Sequence, residues 1–481
     1  MASLNVLLLP EPGSGHLMSL IEAGKRLLAG HGQEFTVTVL VVRPPTPESA
    51  SEVDAHVRRV AASGVGVRFH HLPPMDPPTE CAGNLQEFKS RYLELHKPHV
   101  EAAARELQAA ALVVDFFATT VLDVARALGV PAYVYFTSTA ALLALTLRLP
   151  ALDQAVDVDF EAFEGTVDVP GLPPVPARSI PGFLGRKNSP NFRWFVYHGR
   201  RFMDFDGIII NTVTEIEPGL LAGIADGRCV PGRPAPALYP IGPVLDLGAV
   251  KGDASSNNEP CVRWLDAQPR ASVVFLCFGS LGWSDAAKAR EVATGLERSG
   301  HRFLWALRGP PVAGSRHPTD ADLDELLPEG FLERTKGRGM VWPTWAPQKA
   351  VLAHPAVGGF VTHCGWNSTL ESLWHGVPLA PWPLYAEQHL NAFELVSAVG
   401  VAVAMEVDRE RNNFVEAAEL ERAVRSLMGG CEEGSRAREK AAEMKAACRK
   451  AVEEGGSSRV ALETLRDAIR EDASATKTTT A

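Results

Sequence analysis

Residues 345–388 constrain this chain more than any other stretch. They read W-A-P-Q-K-A-V-L-A-H-P-A-V-G-G-F-V-T-H-C-G-W-N-S-T-L-E-S-L-W-H-G-V-P-L-A-P-W-P-L-Y-A-E-Q. Within them, 357–362 is a short apolar run rich in β-formers and predicts a buried strand. His363, Cys364, Gly365, Trp366, Asn367 and Ser368 form a polar turn, and 369–375 read as a helix stopped by Gly376 ahead of Pro378. A strand, a glycine-bearing turn and a helix N-terminus together make an anion site. Unpaired N–H groups point outward there, and the helix dipole favours negative charge. A phosphate is expected over Asn367 and Ser368, with His363 beside it. Glu371, one turn further on, suits ribose hydroxyls, because a carboxylate accepts hydrogen bonds. Cys364 reads as a small packing residue rather than a nucleophile.

The N-terminal half carries a second constellation. The apolar run 5–9 predicts the first strand of a parallel sheet covered on both faces. Pro10-Glu11-Pro12-Gly13-Ser14-Gly15 makes a turn, and His16 opens a helix to about Leu28. Runs at 35–42, 65–70, 111–114, 131–135 and 207–211 read as further strands, the last closing this half. Helices are expected over 85–109, with a break at Pro98, and over 119–128 and 212–221. Asp115 stands at the end of one strand, and Thr137, Ser138 and Thr139 follow another. The C-terminal ends of parallel strands share one edge, so these side chains and His16 are expected to converge. A neutral imidazole can take a proton from a hydroxyl, and a carboxylate behind its other nitrogen fixes the tautomer. Alone, His16 also fits a helix end or a core position, and Asp115 also fits a helix cap. Met18 replaces the third glycine of a dinucleotide loop, which disfavours NAD.

Residues 152–191 are proline-rich and poorly patterned, as in an acceptor-site wall or lid. Phe116, Phe117, Phe183, Phe192, Trp194 and Phe195 fit an aromatic pocket or a core. In the second half, 272–278, 303–307, 340–342 and 400–405 read as strands, and 286–299, 417–428 and 435–453 as helices. Gly279-Ser280 repeats the strand–turn–helix anion pattern, though Ser280 also fits a simple cap. A last helix is expected from about 459 to 469, capped by Ser458. The predicted divisions are a first domain over 1–240, a second over 241–455, a terminal helix over 456–472 and a disordered tail over 473–481. Residues 251–259 read as a polar, mobile connector.

At 481 residues the chain is long enough for two cores or more. A net charge of −10 argues against nucleic acid and against an anionic membrane surface. Seven cysteines without CxxC pairs suggest reduced thiols and a cytoplasmic location. The first residues lack a signal-peptide pattern, and no apolar run is long enough to span a membrane. His354, His375 and His389 lack metal-ligand spacing, so no metal is expected.

The 345–388 block resembles the C-terminal signature of plant family 1 glycosyltransferases, which take a sugar from a uridine-diphosphate (UDP) sugar. The resemblance spans nearly the whole chain, through the G-S-G-H-L turn, the V-D-F-F segment and the H-C-G-W-N-S core. It is closest to enzymes acting on flavonoids and related phenylpropanoids. It implies an α/β fold of two doubly wound Rossmann-like domains facing a cleft (the GT-B fold), with the last helix returning to the first domain. It makes His16 the base and Asp115 its orienting partner. Trp345 would stack on uracil, with Ala346 and Gln348 at the nucleoside and Glu371 at the ribose. Ser280, His363, Asn367 and Ser368 would hold the phosphates. Trp366, Glu387 and Gln388 would face the sugar, and a closing glutamine leans toward glucose over galactose. Gly15, Phe116, Phe117, Ser138, Phe183, Phe195 and Tyr385 would meet the acceptor. Glu11 is atypical of the first loop and would either lie near the acceptor or point to solvent.

The expected activity is inverting transfer of glucose from UDP-glucose to a flavonoid or related phenolic hydroxyl, by a monomer needing neither cofactor nor metal. Carbon attachment to a flavonoid ring and terpenoid or hormone acceptors are the nearest alternatives. A non-catalytic nucleotide-sugar binding module would keep the block but lack His16 or Asp115. A glycoside hydrolase would need two carboxylates flanking the sugar bond.

Overall fold

The computed structural model describes residues 3–31, 34–81, 83–246 and 259–479. Residues 251–258 of the connector and the last two of the tail lie outside the described residues. The chain divides into two compact units, residues 1–245 with 450–481, and residues 246–449.

The first unit is built on a seven-stranded parallel sheet. Its strands are β1 (Leu4–Leu9), β2 (Phe35–Val41), β3 (Arg68–His71), β4 (Ala109–Asp115), β5 (Ala132–Phe136), β6 (Gly207–Ile210) and β7 (Ala237–Pro240), in the order β3-β2-β1-β4-β5-β6-β7. β1, β4 and β5 are apolar almost without alternation because both faces of the sheet are buried. Residues 207–211 do not close the sheet: β7 adds a strand outside β6, at an edge that tolerates Pro240. The helix expected over 212–221 is Pro218–Ala225, beginning where a proline fits the first turn. Residues 85–109 hold two helices, Leu85–Leu95 and Lys97–Glu106, with Pro98 in the first turn of the second. Two helices had no counterpart in the sequence reading, Pro47–Ala62 and Pro190–Phe202. Each begins with a hydroxyl cap followed by proline: Thr46 accepts from Ser49 N, and Ser189 from Phe192 N.

The second unit has a five-stranded parallel sheet of β8 (Val273–Cys277), β9 (Arg302–Ala306), β10 (Gly339–Trp342), β11 (Val357–Thr362) and β12 (Leu379–Pro381), ordered β10-β9-β8-β11-β12. Residues 400–405 form no strand, only a single bridge from Ala402 to Leu379. In both sheets the chain winds outward over three strands, then reverses so that the fourth lies beside the first. Open α/β sheets bind ligands at such a reversal, beyond the strand C-termini.

The C-terminal helix, Ser457–Thr479, belongs to the first unit. Leu462, Leu465 and Ile469 enter the core that holds Val6, Leu20 and Phe35. Arg466 is 1% exposed, and its guanidinium donates to Leu27 O at 3.2 Å, Arg26 O at 2.5 Å and Ala29 O at 3.0 Å. These carbonyls lie at the close of the helix Ser14–Leu28, where the helical ladder runs out, although Arg26 O also accepts from Ala29 N at 3.2 Å. The helix does not give way to a tail at 473. Ala473 is buried, and Tyr133 Oη donates to Asp472 Oδ2 at 2.6 Å, so packing carries the helix past 469. Nor does Ser458 cap it: the helix starts at Ser457, and the Ser458 hydroxyl has no partner among the described residues. Arg466→Ala should lower the stability of the first unit by about 2–4 kcal/mol in urea titration, through the loss of several charge-assisted bonds. Arg466→Lys should recover little, since the three carbonyls are met by two separate guanidinium nitrogens and an ammonium is a single point donor. A near-wild-type midpoint for Arg466→Ala would contradict this anchor.

Candidate active site

β1 and β4 pair in parallel, with Leu9 opposite Val114. The residues just beyond their ends therefore meet. His16 sits in the first turn of the helix Ser14–Leu28, and its Nδ1 lies 2.8 Å from Asp115 Oδ2. Asp115 is fully buried, while the His16 side chain is 20% exposed. The other Asp115 oxygen accepts from Phe117 N at 2.9 Å, so both carboxylate oxygens are engaged. A carboxylate only accepts, so Nδ1 carries the proton and Nε2 keeps a lone pair. Thr137 Oγ1 is 3.4 Å from the same Nδ1. Phe116 and Phe117 flank the imidazole, with ring centroids at 5.3 and 5.7 Å.

The aromatic residues separate into two sets. Phe116 and Phe117 pack on each other at 4.3 Å beside His16, and Phe183 remains half-buried against Phe195 at 4.7 Å. Phe195, 1% exposed, backs this cluster rather than facing open space. Phe192 is fully buried against Phe160 and belongs to the core. Trp194 packs beside His198. Gly15 is exposed with open space in its Cβ direction, and Ser138 is buried.

His198 was not singled out by the sequence, where it is one polar residue in an aromatic helix. Its Nε2 lies 2.8 Å from Ser90 Oγ and its Nδ1 2.7 Å from Thr119 Oγ1. It thereby ties the helices Leu85–Leu95 and Pro190–Phe202 to the turn after β4. Burial pushes its pKa down to about 3, so it is a neutral structural link.

The second unit supplies the other group. Cys277 at the end of β8 lies opposite Thr362 at the end of β11. Gly279 follows with φ +73°, and a Cβ there would come within 2.6 Å of His363 Nε2. Glycine is thus needed for both backbone and space. Ser280 is exposed next to it. Burial pushes the His363 pKa down to about 4, against a hydrogen bond with the Cys277 backbone, so this ring offers hydrogen bonds rather than a cation. Cys364 is buried in a left-handed conformation at φ 63°. The following helix is Trp366–His375, three residues longer at its start than expected. Its first internal bond runs from Thr369 N to Gly365 O, which puts the Asn367 and Ser368 amides in the first turn, where helices leave N–H groups for outside acceptors.

Gln348 Nε2 donates to Ser368 Oγ at 2.9 Å and to Glu371 Oε2 at 2.7 Å, joining three predicted donor-site residues. Burial pushes the Glu371 carboxyl above its usual range, with Gln348 and Lys349 opposing. Trp345 is 63% exposed, the open aromatic face that base stacking needs, and Ala346 beside it is buried. Gln388 is 2% exposed, and its Oε1 accepts from Leu384 N at 2.8 Å and Tyr385 N at 3.0 Å. Its orientation is thereby fixed from behind. Glu387 precedes it at the helix cap, and Trp366 is buried. Tyr385, expected at the acceptor, lies in this unit with its ring 6.3 Å from His363. Among the described residues, no three His, Cys, Asp or Glu side chains gather in a metal-binding arrangement, and none of the seven cysteines forms a disulfide. No described helix is long and apolar enough to cross a membrane.

Residues 235–431 match the family model for UDP-glucoronosyl and UDP-glucosyl transferases. The chain is 58% identical to the malvidin galactosylase of Oryza sativa subsp. japonica, over 98% of both proteins. Among solved structures it is similar to a glycosyltransferase from Siraitia grosvenorii in complex with UDP, at 38% identity, TM-score 0.83, and 97% and 100% coverage. It is also similar to an enzyme of Medicago truncatula complexed with UDP-glucose, at 35% identity, TM-score 0.83, and 97% and 98% coverage. With two Rossmann-like domains of the GT-B fold and full-length relatives at this identity, the chain belongs to the plant family 1 UDP-glycosyltransferases.

Proposed function

We propose that this enzyme transfers a hexose, with inversion, from a UDP-sugar to a hydroxyl of a flavonoid-type phenol. The observation that carries this reading is the 2.8 Å contact between His16 Nδ1 and the buried Asp115 carboxylate. His16 Nε2 takes the acceptor proton, and Asp115 stabilises the imidazolium that forms. The phenolic oxygen bonds to the anomeric carbon as the bond from that carbon to the β-phosphate oxygen breaks, and UDP leaves. Attack opposite the leaving group turns an α-linked donor into a β-glycoside. Negative charge growing on the diphosphate is met by the Asn367 and Ser368 amides, the neutral His363 ring and Ser280. Trp345 holds the base, Gln348 and Glu371 the ribose, and Trp366, Glu387 and Gln388 the sugar. A phenol asks less of a neutral histidine than an aliphatic alcohol does, which favours phenolic acceptors. No step requires a metal. On this reading the enzyme works in the reducing cytoplasm, with its cysteines outside disulfides, and as a monomer.

For the sugar, Gln388 favours glucose. The second reading is galactose, supported by the 58% identity to a relative named a malvidin galactosylase. The two differ only in the orientation of one hydroxyl, so the donor is settled by competition between UDP-glucose and UDP-galactose at equal concentration. A kcat/KM ratio of about tenfold or more for glucose is expected, and the reverse ratio would install galactose. His16→Ala should lower turnover on phenols by about a hundredfold or more while leaving UDP affinity, measured by calorimetry, within about twofold. Loss of UDP binding instead would remove His16 from the acceptor side. A product that NMR shows to be α-linked would overturn the inverting mechanism.

A further inference from the structure

Glu11 neither points to solvent nor stands alone. It is 5% exposed, and its Oε2 accepts from Gly13 N at 3.0 Å and from Lys89 Nζ at 3.2 Å. A Cβ at Gly13 would lie 2.6 Å from that oxygen, so the turn is shaped around the carboxylate. Gly13 in turn accepts the His16 amide at 3.1 Å, so Glu11 braces the segment that presents the imidazole. Lys89 comes from the helix Leu85–Leu95, and its ammonium stands 5.0 Å from the centre of the Phe117 ring. The His16 ring lies 5.7 Å from the same phenylalanine. One aromatic ring is thus shared by a lysine cation and by the imidazole that must become cationic.

We propose that Glu11 and Lys89 form a positioning pair that sets the charge environment of His16 during proton transfer. This rests on His16 being the base. Glu11 stabilises the imidazolium and Lys89 opposes it, so the pair trims an effect that Asp115 alone would leave fixed. The other groups facing His16 do not duplicate the pair. Asp115 from β4 is bonded directly, the Thr137 hydroxyl after β5 carries no charge, and Phe116 and Phe117 are apolar. His198 lies behind Phe117 and is neutral. The nearest charges on the helix of His16 itself, Glu22 and Lys25, pair with each other. Burial works against ionised Glu11, but Lys89, His16 and the Gly13 amide outweigh it and hold its carboxyl below the usual range, so it is charged at neutral pH.

The test is the acid limb of kcat/KM against pH, measured with two phenols of different acidity to separate enzyme from acceptor ionisation. A base acts in its neutral form, so activity rises with pH through its ionisation. Glu11→Gln, which keeps an acceptor for Gly13 N, should move the limb down by about half a unit or more. Lys89→Gln should move it up by a similar amount, and the double variant should fall between. A merely structural role would lower kcat without moving the limb, or move both variants the same way, and either result overturns the proposal. If Glu11→Gln does not fold, the upward shift in Lys89→Gln alone decides. His16 titration followed by histidine-selective NMR in the same variants gives a readout that needs no turnover. If His16→Ala retains activity, the base reading itself has failed. If it does not, and both limbs stay in place, only the pair has failed.

Discussion

The bond between His16 and Asp115 depends on two strand ends lying side by side. They are 99 residues apart in sequence, and parallel pairing of β1 with β4 brings them to 2.8 Å. The reversal of winding at that pair opens the sheet edge, so a side chain following either strand has room to act. The second unit repeats the device: β8 and β11 meet at the equivalent reversal, and Gly279, Ser280 and His363 follow their ends. One architectural rule, used twice, positions the proposed base in one unit and the proposed anion cradle in the other.

The two histidines show how burial assigns roles. His16 keeps partial exposure and a buried carboxylate behind one nitrogen, the setting in which a transient positive charge is tolerable. His363 is buried, with the Cys277 backbone rather than a carboxylate opposing the effect of burial, and is held neutral. In the proposed donor site, a neutral hydrogen-bond donor would stabilise diphosphate charge without exchanging a proton with it. The residues of the proposed donor site are also tied together in advance. Gln348 links Ser368 to Glu371, and two backbone amides fix Gln388, so less ordering is left to binding.

Much of this was legible in the sequence because the decisive signals are local. Apolar runs located β1, β4, β8 and β11, and strand-end placement put His16 and Asp115 on one edge, a placement sharpened by the 345–388 block. What was hidden depended on tertiary packing. The seventh strand, Ala237–Pro240, is too short and too proline-marked to read as a strand. The run at 400–405 has strand composition but makes only one bridge. The terminal helix outlasts its apolar pattern because Arg466 and Asp472 find partners on distant segments. Phe192 and Phe195 looked like pocket candidates, since composition does not tell a wall from the core behind it. His198 and the Glu11–Lys89 pair join residues 78 or more apart, and no spacing rule reports that.

The account stands on Asp115 acting through His16, so the most direct measurement is single-turnover kinetics of Asp115→Asn with a simple phenol. An amide is close to isosteric, but it can present a donor to Nδ1 and so favour the unproductive tautomer. Transfer slower by about a hundredfold or more, with UDP affinity unchanged, is the predicted result. Near-wild-type transfer by a folded Asp115→Asn enzyme would contradict the central claim.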